Sequence, residues 1–152
     1  EAYASKVLNN SKADKKVKAD AQVIVARAAI QINDTATAKK AYVDLLSNAT
    51  GEIAAEALYY DAYFKNADKK FDASNTAVQK LAKDYSGYKY YGAKGLVLMA
   101  KNFYGLKDSY QATYILESVI KNFTDYSDVV SEAKAELSKI KSEESKRNSS
   151  VK

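Results

Sequence analysis

The 152-residue chain has no histidine, cysteine, proline or tryptophan, and only five glycines. Without cysteine or histidine there is no disulfide framework, thiolate nucleophile or Cys/His zinc site, and no Ser-His-Asp relay can be assembled. Lack of cysteine does not fix a compartment, because oxidising and reducing environments both tolerate it. Scarcity of proline and glycine removes the usual punctuation of strands and turns and favours helix throughout. No apolar run approaches the roughly 20 residues that span a bilayer. No signal peptide is visible, and the chain opens at Glu1 rather than methionine, which reads as a cut end.

What is present fits one folded domain. Apolar residues make up 47% and charged residues 28%, which is globular rather than disordered. The net charge of +5 is spread along the chain among 19 acids. That pattern reads as solvated helix faces with a lysine excess, not as a nucleic-acid stripe.

Apolar residues recur with the 3.6-residue helical period in eight stretches. The first, Glu1–Asn10, is short (Tyr3, Val7, Leu8). The others run over about 14–32, 34–48, 52–66, 70–85, 90–106, 108–123 and 127–146, with Asp34 or Thr35 and Asp108 as expected N-caps and Gly51 as a break. Connectors are short, so consecutive helices are expected as antiparallel neighbours. The end, KSEESKRNSSVK, is charged and serine-rich, and 147–152 is expected to be a flexible tail.

The stretches repeat. Ala26 aligns with Ala100, Ala29 with Phe103, Ala38 with Ala112, Tyr42 with Leu116 and Leu45 with Val119. A middle copy places Ala73 at the recurring alanine and Phe64 at the aromatic position, with either Asp61 or Ala62 in its first small-residue slot. Ala100, Phe103, Ala112 and Leu116 follow the small–aromatic–alanine–large pattern of the tetratricopeptide repeat, and the chain resembles that family over nearly its whole length. The usual proline after the second helix is missing. The resemblance implies an all-α, α-solenoid fold of antiparallel hairpins. These would be a truncated helix 1–10, repeats at about 14–48, 52–85 and 90–123, and a C-terminal capping helix at about 127–146. YYGAKGLVLMAKNFYGLKDSYQATYILESVIKNF followed by VVSEAKAELSKI also resembles the C-terminal part of long cell-envelope proteins of this family in Bacteroidota. That implies a periplasmic or outer-membrane-associated setting.

YSGYKYYGAKG (85–95) is the most unusual stretch. Its glycines lack the following Gly-Lys-Ser/Thr of a phosphate loop, and two lysines without arginine make a poor single-strand binder. It reads as a helix joint, with Gly87 supplying a left-handed stop and Tyr88, Tyr90 and Tyr91 packing across a seam between repeats.

The resemblance implies a groove lined by the first helices of successive repeats. It places Asp20, Val23, Arg27 and Ile30 there, and Lys94, Val97, Lys101 and Tyr104. Val23 and Val97 stand where the family's chaperone-tail binders carry a polar clamp, so that activity is not implied. Glu132, Glu136, Glu143 and Glu144 read as i,i+4 ion pairs on an exposed face. With no catalytic constellation, metal set or cofactor motif, the expected role is a non-enzymatic protein-binding scaffold with a peptide or protein partner. An architectural spacer or self-assembly element is the alternative, and so is a regulatory domain whose catalytic part lies outside this chain.

Overall fold

The computed structural model describes residues 14–151. The expected helix over Glu1–Asn10 lies outside them. The described residues form seven helices: α1 (Lys15–Gln31), α2 (Thr35–Asn48), α3 (Gly51–Ala67), α4 (Phe71–Asp84), α5 (Lys89–Gly105), α6 (Ser109–Asn122) and α7 (Ser127–Val151). Among the described residues there is no strand. None of these helices is long and apolar enough to cross a membrane.

The lengths repeat: 17 residues then 14, three times over. So do the turns inside each pair. Asn33, Lys69 and Lys107 adopt left-handed backbone with φ of 60°, 62° and 70°. Around each, two backbone hydrogen bonds close the preceding helix. Asn33, Lys69 and Lys107 donate to the carbonyls of Ile30, Asn66 and Tyr104, and Asp34, Lys70 and Asp108 donate to those of Ala29, Lys65 and Phe103. This double closure is the Schellman motif, which satisfies helix-end carbonyls. Here it is built three times without glycine.

These turns fix the register of the repeat. Counted from them, Ala26, Ala62 and Ala100 are equivalent, and all three are fully buried. Ala62 therefore takes the middle small-residue slot and Asp61 does not. The second small position is Ala38, Ser74 and Ala112, each with no exposed surface, whereas Ala73, expected there from sequence, is exposed. Phe64 is likewise one residue out of the aromatic position, which is held by Lys65. Ser74 replaces alanine because its hydroxyl has partners: it donates to the Ala62 carbonyl at 2.7 Å and accepts from Asn102 Nδ2 at 2.8 Å. Asn102 also donates to Asn75 and accepts from Asn66, each at 2.8 Å. The network satisfies buried polar groups while tying α3, α4 and α5 together.

Packing follows chain order. Each helix contacts the next, and the odd helices also contact one another in succession, α1 with α3, α3 with α5 and α5 with α7. Among the described residues α2, α4 and α6 do not touch each other. The arrangement is all-helical, with successive packing consistent with a helical repeat. Three apolar clusters fill it, centred on Tyr42 and Leu45, on Val78 and Leu81, and on Leu116 and Val119.

Two expectations about helix ends are corrected. Gly87 is not left-handed; among glycines only Gly51 is, at φ 63° where α3 begins. The same turn recurs one repeat later with Asp125 in place of Gly87, since Tyr88 donates to the Tyr85 carbonyl as Tyr126 does to that of Phe123. The joint therefore needs no glycine. The last helix also continues past Lys146 to Val151. No proline or glycine interrupts that segment, and an Arg147–Glu144 pair at 2.6 Å supports it.

Candidate interaction surface

The odd helices share one face, and a buried acid lies at its centre. Glu56, on α3, has a side chain only 3% exposed. Its carboxylate accepts from Arg27 Nε at 3.0 Å and Nη2 at 2.6 Å, from the Tyr42 hydroxyl at 2.7 Å and from the Tyr91 hydroxyl at 3.2 Å. Four donors from α1, α2 and α5 thus converge on one side chain of α3. Burial pushes the carboxyl up, but the hydrogen bonds from Arg27 and Tyr42, with the Arg27 charge and the Tyr91 hydroxyl, outweigh it and hold Glu56 below the usual carboxylate range. The hydrogen bond to Glu56 raises the Arg27 guanidinium further. Desolvation and the same carboxylate raise Tyr42 and Tyr91. An ionised acid with its oxygens this fully engaged is a structural tie, not a free base.

Sequence reading missed Glu56. Its signal is IAAEALYY: a single charge inside an eight-residue helical run that is otherwise apolar or aromatic on every side, where an acid has no solvated side to occupy.

Around this tie lies a tyrosine cluster. Tyr42 and Tyr60 stack at 4.4 Å between centroids, Tyr59 meets Tyr60 edge-on at 5.0 Å, and Tyr63 meets Tyr60 at 5.7 Å. Lys94 Nζ stands 4.7 Å from the Tyr59 centroid and 5.6 Å from that of Tyr90, within reach of a cation–π attraction. Tyr90 donates to Asp128 at 2.6 Å and is pushed up to about 12 by that bond.

The sequence-predicted groove residues divide into four groups, one of them Ile30 alone, half-buried against the apolar cluster of the first hairpin. Arg27, Lys94, Lys101 and Tyr104 reach this face. Asp20 is half-exposed on α1 and pairs with Lys16 at 3.4 Å. Val23 and Val97 are corrected: they are 4% and 1% exposed and belong to the core. Each lies one turn before Arg27 or Lys101, at the position that Tyr59 holds in the middle repeat, and packs there into the apolar cluster of its own hairpin. Position 27 recurs one and two repeats later as Tyr63 and Lys101, so Arg27, Tyr63 and Lys101 form a cross-helix row. Tyr63, which sequence reading left out, is 43% exposed.

Part of the row is used internally. Arg27 holds Glu56 and Lys101 pairs with Glu132 at 2.7 Å, while beside the row the Tyr104 hydroxyl donates to Glu143 at 2.6 Å, Glu132 and Glu143 both lying on α7. The acids of α7 therefore do not all form pairs along their own helix. Glu136 and Glu144 do, with Lys139 and Arg147 at i,i+3, while Glu132 and Glu143 dock α7 onto α5.

A second concavity lies where two four-residue joints stack. Tyr85, Tyr88, Gly92, Leu96, Phe123 and Tyr126 line a cleft of about 450 Å³, with Lys89, Asn122 and Asp125 among its polar groups. The YSGYKYYGAKG stretch thus supplies one wall, and Tyr85 and Tyr88 match Phe123 and Tyr126 in register. Among the described residues no three acidic side chains gather as a metal-binding group. Compared with models of known protein families the chain matches none, and no curated protein matches it.

Proposed function

We propose that the chain is a non-enzymatic interaction scaffold of the tetratricopeptide type, an α-solenoid of three hairpins closed by α7, which receives a protein or peptide partner on the odd-helix face. The observation that carries this reading is the row of Arg27, Tyr63 and Lys101. These residues are equivalent in successive repeats, on helices that touch in succession, beside the Tyr59–Tyr60–Lys94 cluster. Rigid aromatic surface interleaved with cations suits an extended peptide or a partner helix, because little ordering is needed on binding. The repeated 17- and 14-residue helices and buried Ala26, Ala62 and Ala100 support the family reading. The envelope-associated bacterial setting belongs to the same proposal and rests on the sequence resemblance.

The test is affinity capture with the intact chain and with a Tyr63→Ser, Lys94→Glu variant, two side chains that make no hydrogen bond among the described residues. The reading requires partner recovery to fall at least several-fold while thermal stability is kept. Unchanged recovery defeats it.

A second reading, an architectural or self-assembly element, is favoured by one observation. Lys101, Tyr104 and Tyr90 are already engaged by α7, leaving less of the face free toward the C-terminal end.

A further inference from the structure

The outer face of α6 differs from those of α2 and α4. Tyr110 is 77% exposed, more than any other large apolar side chain among the described residues, and Tyr114 is 62% exposed. Equivalent positions carry Ala36 and Lys40 on α2, and Asp72 and Thr76 on α4. Tyr110, Tyr114, Glu117, Ser118 and Lys121 fall on one stripe by helical spacing, opposite the buried Ala112, Leu116 and Val119. Tyr114, Glu117, Ser118, Lys121 and Asn122 line a depression of about 270 Å³. Asn122 also lines the aromatic cleft, so the stripe runs into that cleft.

The stripe is self-complementary. Crossing two α6 helices antiparallel at Ser118 would set Tyr114 opposite the second copy's Asn122 and would carry Tyr110 past the end of that helix, toward the cleft that opens there. Glu117 falls within one turn of the second copy's Lys121, and symmetry repeats the pair. Ser118 at the crossing is small enough for close approach. Lys121 forms no ion pair among the described residues, and Glu117 is held only by Lys141 at 3.7 Å, with both side chains more than half exposed.

We infer that α6 is the contact face of a two-fold dimer with a second copy of this chain, its two α6 helices crossing antiparallel at Ser118 with Tyr110 and Tyr114 packed against the aromatic cleft of the other copy. An isologous contact of this kind closes on itself. A patch confined to one helix and one cleft gives a transient dimer, not an obligate one. This inference does not rest on the odd-helix face.

Sedimentation equilibrium of the whole chain from about 10 µM to about 1 mM, the range where transient contacts dissociate, tests it. The average mass should rise from the monomer's 16.7 kDa toward twice that value. Tyr114→Glu should hold it at the monomer value throughout, and Glu117→Lys should weaken association several-fold. Adding Lys121→Glu to Glu117→Lys should restore association, because the charges then match again across the axis. A wild-type mass that stays monomeric over the whole range overturns the inference. A dimer left intact by both Tyr114→Glu and Glu117→Lys overturns it equally.

Discussion

Three side chains carry left-handed backbone that favours glycine, and two of them are lysines. A left-handed non-glycine residue costs roughly 1–2 kcal/mol, so Lys69→Gly and Lys107→Gly should each stabilise the fold by about 1 kcal/mol after the flexibility gained by the unfolded chain is deducted. Thermal melts would register this as a higher midpoint. Gly105 behaves in the opposite way, because a Cβ there would lie 2.6 Å from the Phe71 ring. Gly105→Ala should destabilise by about 1–3 kcal/mol, while Gly87→Ala, with open space around it, should change the midpoint little. The sequence showed helix against turn here but not which residue takes positive φ. Asn33 is of a type that tolerates left-handed backbone, but Lys69 and Lys107 are polar residues in short connectors that nothing local separates from their neighbours. The identity of the buried acid was hidden for a related reason: hydrogen bonds from Arg27 and Tyr91 span 29 and 35 residues, and local periodicity does not report such distances.

At the scale of elements, the helix starts are unequal. Asp14, Asp34 and Asp108 accept from the backbone N–H of Val17, Thr37 and Gln111, the expected N-cap geometry. The corresponding residue before α4 is Lys70, which makes no side-chain cap bond. Lys70→Asp should therefore add about 1 kcal/mol, visible as a shift in denaturant midpoint at unchanged slope; no shift would show that this helix start is already satisfied. Helix positions were legible from sequence to within a few residues at most ends, since the apolar period and the aspartate caps are strong local signals. Register in the middle copy was not. Ser74 stands where the repeat leads one to look for alanine, and its suitability depends on the Ala62 carbonyl and Asn102 in neighbouring helices.

For the molecule as a whole, the Glu56 tie links α1, α2, α3 and α5, so its protonation should be felt globally. Glu56 lies below the usual carboxylate range when folded. The stability it contributes is thus present above its unfolded value of about 4.3 and is lost as pH falls through the folded value. Arg27→Met removes the guanidinium that opposes burial. The acid-side loss of melting temperature should then begin at higher pH than in the wild type. At the alkaline end, Tyr42, Tyr59, Tyr60, Tyr90 and Tyr91 are all raised, Tyr59 and Tyr60 chiefly by burial and Tyr90 chiefly by its bond to Asp128. Stability should hold below about pH 10, the ordinary tyrosine value, and fall as pH rises through the folded values. The all-helical character and successive packing were readable from composition and spacing. The odd-helix face was readable only in part: Arg27, Lys94 and Lys101 fall on it, whereas Val23 and Val97, one turn away on the same stripe, are buried, and Tyr63 was missed because the middle register was open. Hydrogen exchange of the intact chain, with and without a partner captured through it, tests the proposal of an odd-helix binding face most directly. Slowed exchange over 20–31, 59–66 and 94–104 is the predicted result. Slowing confined to α2, α4 and α6, with those three segments unchanged, would contradict it.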